Sequence, residues 1–332
     1  MMKAVNLIQN PVWRKQALIK TKAFLFGASR ENRGFVPSVL LYFTVVSIAL
    51  VYIAPILSIV STSLKDFSDM INPATMWIPR RLELSNYTAA WEAMNIMPKN
   101  LIVPGFSLME NLRRSTMLNS ILVVVPSTLL QLFFCSVAGY AFGRMDFPLK
   151  RFFFVLLILE FVVPPQAQLI PMIWTYRAFQ LLNTPLVFYA PALFGHGVKG
   201  ALFVFIYMQF FRKLPKEMEE AAMIDGVGPL RIFLKIMMPL AKPAYMVVFL
   251  FSIVYHWTES LLSNTLYKLS PTLPVRLLIL MDRSNSAITG TAITSQPVQM
   301  ATGVLMMAPI LIIYFFAQKT FTESIERTGL VE

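Results

Sequence analysis

The chain has 332 residues, of which 56% are hydrophobic and 14% charged, and its formal net charge is +12. A soluble domain carries about 25% charged residues and a disordered chain is poor in apolar residues, so the composition excludes both classes. The chain has a single cysteine, Cys135, which excludes a disulfide scaffold. The charge leaves two interpretations, a nucleic-acid-binding protein or a membrane protein with its basic residues on one side of a bilayer.

Long apolar runs favour the membrane interpretation. A transmembrane helix needs about 20 mainly apolar residues, and six runs meet this requirement, at 35–64, 115–143, 152–176, 178–211, 236–257 and 298–317. The runs are continuously apolar rather than alternating, which favours helices over a β-barrel. The sequence therefore predicts an all-α membrane protein with six transmembrane helices.

The basic residues predict the orientation of these helices. If the N-terminus is cytoplasmic, most of the 29 lysines and arginines fall on the cytoplasmic side, so both termini are expected there and no nucleic-acid partner is expected. The predicted organisation, in chain order, is a cytoplasmic basic tail (1–34), a first transmembrane helix (35–64), an extracytoplasmic loop (65–114), a core with five transmembrane helices (115–318) and a cytoplasmic tail (319–332).

The cytoplasmic segment 212–242 carries the most specific local pattern. Three glutamates follow Pro215, which suits the first position of a helix, and acidic residues stabilise that end. Asp225-Gly226 is a stop signal, and Pro229 can start a second helix. We expect two short helices joined by a glycine turn. The alanines of the first helix would let another protein approach its backbone, on a face shared by Leu214, Met218, Ala221, Ala222 and Asp225.

This segment resembles the "EAA" loop of ABC-importer permeases. The residues Glu220-Ala221-Ala222 are followed at the family spacing by Gly226, Ile236 and Pro239, with Met238 where the family has leucine. The resemblance implies the type I ABC-importer permease fold. It also implies that a groove of a cytoplasmic ATPase subunit receives the coupling helix and its turn, formed here by Glu220, Ala221, Ala222, Asp225 and Gly226.

Other motifs resemble the carbohydrate subgroup, specifically the smaller maltose-transporter-type permease. They are Trp77-Ile78-Pro79, Asn119-Ser120, Ala138–Arg144, Pro164-Pro165-Gln166 and Gln209-Phe210-Phe211. The fifth span departs from that subgroup, since Trp257-Thr258 stands where Trp-Asn is usual. The resemblance implies alternating-access transport of a sugar or oligosaccharide in the bacterial inner membrane. The implied partners are a second permease in a heterodimer, two ATP-binding subunits and an extracytoplasmic solute-binding protein.

The chain itself is not expected to be an enzyme or to hold a cofactor. It contains no G-x-x-x-x-G-K-[ST] motif, so ATP is expected to bind the partner subunits. His196, His256 and Cys135 fall in different spans without ligand spacing, which argues against a metal site or a nucleophile pair.

Polar and aromatic residues in the spans are candidates for the substrate pathway, because sugar sites combine hydrogen bonds with flat apolar faces. Helix packing or the interfacial aromatic belt is the alternative role for each. Glu160 and Lys199 fall at similar depths, and an ion pair between them is a hypothesis beside separate polar contacts or snorkelling. The candidates are Gln131, Glu160, Gln166, Gln168, Trp174, Tyr189, Lys199, Trp257 and Glu259.

Two alternative functions remain open. An importer of a polyamine or a peptide would carry the same loop, and the ligand of its solute-binding protein would distinguish it. A membrane-embedded enzyme belongs to a different class, and turnover by the purified chain without an ATPase partner would favour it.

Overall fold

The computed structural model of the chain describes residues 34–72, 75, 77–98, 100–285 and 295–329. The predicted basic tail, apart from Gly34, lies outside these residues. Every regular element within the described ranges is a helix, which confirms the predicted all-α class.

The segment between the first two long helices forms a cap of short helices. Asn86 donates hydrogen bonds from Nδ2 to the carbonyl oxygens of Ser63 and Lys65, at 3.0 and 2.9 Å, which ties the cap to the end of the first helix. Ser107 and Glu110 form a capping box, and the side-chain hydrogen bond from Ser107 lowers the pKa of Glu110. The helices of this part are α1 (Phe35–Ser63), α2 (Phe67–Ile71), α3 (Ser85–Met94) and α4 (Leu108–Arg113).

The rest of the chain forms a bundle around one long helix, Thr116–Arg144. A π-helical turn, Phe233–Met237, lies within the helical segment Pro229–Leu240. The helices are α5 (Thr116–Arg144), α6 (Lys150–Val162), α7 (Pro165–Ala178), α8 (Leu186–Leu193), α9 (Gly200–Lys213), α10 (Glu217–Ile224), α11 (Pro229–Ile232), α12 (Met238–Leu240), α13 (Lys242–Thr258), α14 (Leu261–Leu266), α15 (Leu273–Asn285) and α16 (Gln296–Gly329).

Three to five helical segments of the described chain are long and apolar enough to cross a membrane. Three are single helices: α1, α5 and the part of α16 up to Lys319. Two more arise if each bent pair counts as one span, α6 with α7 at 108° and the segment Pro229–Leu240 with α13 at 78°. Pro164 and Pro165 explain the first bend, since proline donates no backbone hydrogen bond and disfavours a helical conformation in the residue before it.

The predicted fourth span, 178–211, is not one helix. It contains α8 and α9, separated by residues 194–199, which we call the 194–199 break. Gly195, Gly197 and Lys199 all have positive φ there. A right-handed helix cannot continue through this left-handed backbone, so the run is interrupted although its composition is apolar.

The most extensive helix packing joins α5 to α9. Gly139 and Gly143, four residues apart on α5, face α9. A Cβ added at Gly139 would overlap the Cβ of Tyr207, and one added at Gly143 would lie 3.1 Å from the carbonyl oxygen of Met208. Glycine at both positions therefore allows the two backbones to approach closely.

Candidate coupling surface and polar cavity

The segment after α9 folds as two short helices around a glycine turn, as its sequence predicts. The first helix, α10, has Lys216 as its N-cap, so Pro215 precedes the helix rather than beginning it. Gly226 takes φ +75° in the turn, and Pro229 occupies the first turn of α11. The left-handed conformation at Gly226 reverses the chain and is accessible to glycine without strain.

A buried ion pair fixes α10 to the end of α5. The Nε of Arg144 lies 2.9 Å from Oε2 of Glu219, and the two side chains are only 4% and 11% exposed. Arg144 also donates from Nη2 to the carbonyl oxygen of Pro215, at 2.9 Å. A guanidinium holding two partners in this way sets both the position and the direction of α10.

The sequence places Ala221 and Ala222 on one face of α10, but the packing of this helix against the bundle buries one alanine and exposes the other. Ala222 is 6% exposed and belongs to the same apolar cluster as Phe211 and Phe233, whereas Ala221 is exposed. The prediction of a shared alanine face is therefore wrong. Adjacent residues are about 100° apart on a helix, so a helix lying against the bundle turns one inward and the other outward.

The outward side of α10 and its turn forms a continuous exposed surface, which we call the coupling surface. It includes Glu220, Ala221, Asp225 and Gly226 from the predicted set. It also includes apolar side chains that the sequence-based prediction missed, Met223, Ile224 and Leu230, of which Ile224 is 86% exposed. Exposed apolar side chains this close together favour a protein contact. The signal in the sequence is the apolar pair directly before the Asp-Gly turn.

A second feature, a cavity of about 310 Å³, lies where three helix interruptions meet. These are the bend between α6 and α7, the 194–199 break and the C-terminal end of α13. Its apolar walls include Phe161 and Phe188. Its polar and charged lining consists of Glu160, Gln168, His196, Lys199, His256 and Glu259.

The ion pair in this cavity differs from the predicted one. Oε1 of Glu160 lies 2.7 Å from Nδ1 of His196, not beside Lys199. The Lys199 amine lies over the Tyr255 ring, 5.7 Å from its centroid. The predicted Glu160–Lys199 pair is therefore wrong, because Lys199 sits at the start of α9 against α13 while His196 faces α6.

Gln131 is fully buried and holds the 194–199 break in place. Its Nε2 donates to the carbonyl oxygens of His196 and Val198, at 3.2 and 3.1 Å. Its Oε1 accepts a hydrogen bond from Ser252 of α13 at 3.0 Å. With its amide fully engaged, Gln131 acts as a clamp between three elements and does not line the cavity.

The remaining pathway candidates fall into two groups. Trp257 is buried and donates from Nε1 to the carbonyl oxygen of Met306 at 3.0 Å, and the Tyr189 hydroxyl donates to a carbonyl oxygen of α5; both pack helices together. Gln166 and Trp174 are exposed and outside the cavity. The structure thus brings together Glu160, Gln168, Lys199 and Glu259, and adds the two histidines.

Among the described residues, no group of three His, Cys, Asp or Glu side chains could hold a metal ion.

Comparison with known proteins identifies the family. Residues 135–327, more than half of the chain, match the family described as the inner membrane component of binding-protein-dependent transport systems. The chain belongs to this family. It is therefore an ABC-importer permease, an inner-membrane transport protein rather than an enzyme, and its class operates with ATPase and solute-binding subunits.

Individual relatives agree with this family. The chain is 29% identical over 267 residues to a putative ABC transporter permease of a Caldicellulosiruptor species, covering 80% of this chain and 86% of the relative. It is 29% identical over 215 residues to the melibiose, raffinose and stachyose import permease of Bacillus subtilis, covering 64% and 69%. The fold is similar to the crystal structure of a bacterial ABC transporter involved in the import of the acidic polysaccharide alginate, with a TM-score of 0.64, 20% identity and coverage of 88% and 98%.

Proposed function

We propose that this permease translocates a sugar or oligosaccharide by alternating access, driven by two separate ATP-binding subunits. The observation that carries the proposal is the coupling surface, an exposed face with several apolar side chains that is joined to α5 through Arg144 and Glu219. The sugar class is supported by the Bacillus subtilis relative, whose name gives melibiose, raffinose and stachyose as its solutes.

The proposed topology has six membrane crossings with both termini in the cytoplasm. Three single helices and two bent pairs supply five of them. We assign the sixth to α8 and α9 together, as a span interrupted by the 194–199 break. This topology places the coupling surface in the cytoplasm, where the ATPase subunits are, and the cap of α2 to α4 on the outer side. The second permease is proposed to be a different chain, forming a heterodimer.

The contacts of α5 suggest how movement of the coupling surface could reach the membrane interior. In this proposal, ATP draws the two ATPase subunits together and the coupling surface moves with them. Because Arg144 and Glu219 join α10 to α5, the displacement passes to α5. Gln131, on the same helix, holds the 194–199 break at the cavity. The permease pair then opens outward to receive solute from the solute-binding protein.

Docking of the ATPase can be tested with the substitution Ala221→Arg. Ala221 is exposed, so the longer side chain leaves the permease fold intact but obstructs a partner seated on α10. We expect loss of ATPase co-purification and of ATP-dependent uptake at normal membrane levels. Ala178→Arg is the matched control, an exposed alanine at the end of α7, and should retain ATPase co-purification. Normal co-purification and uptake with Ala221→Arg would refute docking at this surface.

The substrate class requires a separate measurement on the complete complex in proteoliposomes. Uptake of raffinose and maltotriose is compared with uptake of putrescine and a tripeptide, each with the complex's own solute-binding protein. We expect ATP-dependent uptake of a neutral oligosaccharide. Uptake of putrescine or the peptide alone would retain the importer but overturn the sugar assignment.

A further inference from the structure

The cap contains a loop that lies beside the last turn of α1. The hydroxyl of Ser61 donates a hydrogen bond to the carbonyl oxygen of Trp77, at 2.5 Å. The backbone N–H of Glu83 donates to the carbonyl oxygen of Leu64, at 2.9 Å. Both ends of the segment from residue 77 to residue 83, which we call the 77–83 loop, are therefore fixed to the C-terminal end of α1.

A buried carboxylate also fixes the middle of the 77–83 loop. Asp69 of α2 is buried, and its Oδ2 accepts a hydrogen bond from the backbone N–H of Arg80 at 3.0 Å. The buried hydroxyl of Thr75 donates to the carbonyl oxygen of Asp69 at 2.7 Å. The loop thus has contacts with both α1 and α2, so its outward side chains are carried by a backbone of defined position.

The outward side of the 77–83 loop is largely apolar. Trp77, Ile78 and Leu82 are each more than half exposed, although the backbone that carries them is fixed. They adjoin α1, whose most apolar stretch of 18 residues has no buried member. Adjoining exposed apolar side chains indicate contact with a protein or with a membrane.

The level of the loop along α1 favours the membrane. With 29 residues at about 1.5 Å per residue, α1 is about 43 Å long. The hydrocarbon core of a bilayer is about 30 Å thick, and the bilayer with its headgroup regions about 40–45 Å. The last turn of a membrane-crossing α1, and the loop fixed to it, therefore lie at the level of the lipid headgroups.

The residue types of the loop suit this level. Tryptophan is enriched at membrane–water interfaces, because its ring is apolar and its N–H is polar. Arg80 and Arg81 are exposed, and a guanidinium group binds phosphate through paired hydrogen bonds. Arg80 lies 3.9 Å from the carboxylate of Asp69. Arg81 forms no ion pair within the described part of the chain, so its charge is available to a phosphate.

We propose that the 77–83 loop binds the phospholipid bilayer, with its apolar side chains among the upper acyl chains and Arg81 at the phosphates, and so fixes the cap to the membrane surface. The partner is a lipid surface rather than a protein, because the loop combines apolar and cationic residues at headgroup depth. The inference goes beyond the proposed function and requires only that α1 crosses the membrane. In the proposed topology, the leaflet is the outer one.

The contact is tested with a fluorescent residue that replaces Ile78 in the complete complex. The complex is placed in nanodiscs of phosphatidylglycerol and phosphatidylethanolamine. Part of the lipid carries bromine, a contact quencher, on the acyl chains either near the headgroup or near the chain ends. The matched control places the same residue at Ile224, which is exposed on the coupling surface. We expect bromine near the headgroup to quench position 78 more than bromine near the chain ends, and neither to quench position 224.

The contribution of the arginine is tested with the fluorescent residue at position 78. Arg81→Glu replaces attraction to the lipid phosphates by repulsion, so we expect a loss of quenching by bromine near the headgroup. Arg114→Glu, at an exposed position after α4, is the control and should leave the quenching unchanged. Unchanged quenching after Arg81→Glu would contradict the phosphate contact.

The results that overturn the inference do not depend on the solute. Absence of quenching at position 78, in a complex that retains its ATPase activity, would show that water or another subunit covers the loop. Stronger quenching by bromine near the chain ends would place the loop in the hydrocarbon core rather than at the interface. Failure to import a sugar, with quenching as expected, would refute the proposed function and leave the lipid contact standing.

Discussion

Arg144 Nε and Glu219 Oε2 meet at 2.9 Å, and this buried pair joins the 29-residue helix α5 to the short helix of the coupling surface. The same arginine also binds the carbonyl oxygen of Pro215, so α10 is held at two points. A short helix is unstable alone in water, and these contacts explain how eight residues keep their structure while one side remains exposed.

The Arg144–Glu219 pair predicts a non-additive response to substitution. Arg144→Met or Glu219→Met alone leaves a buried charge without its partner, which costs about 3–5 kcal/mol, whereas the double replacement by apolar residues is close to neutral. We expect each single variant to lower the temperature at which the purified complex loses ATPase activity, and the double variant to regain most of the loss. Lys213→Met, at an exposed position, is the control. Equal losses in the single and double variants would argue against the pair.

The turn after α10 predicts different tolerances at two neighbouring glycines. Neither an added Cβ at Gly226 nor one at Gly228 meets an atom within 4 Å, but only Gly226 has positive φ. Gly226→Val should therefore distort the turn, at about 1–2 kcal/mol, and lower ATP-dependent uptake. Gly228→Val should leave uptake unchanged, since Gly228 is extended. Similar uptake by the two variants would show that the left-handed turn is not required.

The coupling surface shows how much of the site the sequence predicts. The order helix, glycine turn, helix follows from Asp225-Gly226 and Pro229 alone. The different burial of Ala221 and Ala222 cannot be predicted from the sequence, because it depends on which side of α10 packs against the bundle. That position is set by Arg144, more than 70 residues earlier in the chain.

The close approach of α5 and α9 predicts a strong effect at a position that no ligand touches. Gly139→Ala would force its Cβ against Tyr207, and overpacking of this kind costs about 1–3 kcal/mol. We expect a lower thermal stability of the purified complex by size-exclusion chromatography after heating. Gly303→Ala in α16 meets nothing within 4 Å and should be neutral or slightly stabilising. An unchanged Gly139→Ala variant would contradict the packing.

The clamp formed by Gln131 predicts local loosening of the 194–199 break. Gln131→Leu removes both donors to the carbonyl oxygens of His196 and Val198. We expect faster amide hydrogen exchange in a peptide covering residues 194–200, with little change in the rest of α9. Gln209→Leu, an exposed glutamine on α9, serves as the control. Unchanged exchange after Gln131→Leu would mean that the break is held by other contacts.

The break itself shows why part of the fold escapes prediction from sequence. The apolar runs locate α1, α5 and the apolar part of α16, because a continuous run of about 20 apolar residues is sufficient to indicate a membrane-spanning helix. The bend at Pro164 and Pro165 has a local cause. The break at 194–199 lies in an equally apolar run, and the carbonyl oxygens of His196 and Val198 within it accept hydrogen bonds from Gln131, more than 60 residues away. A long-range contact of this kind leaves no local signal.

Docking of the ATPase on the coupling surface is tested most directly by site-specific photo-cross-linking in the complete complex. A photoreactive residue replaces Ile224, which is 86% exposed on that surface. The control replaces Leu269, 76% exposed beside Arg113 at the opposite end of α5. We predict a cross-link from position 224 to the ATPase subunit and none from position 269. No ATPase cross-link at position 224, in a complex that still imports its solute, would contradict the proposed coupling.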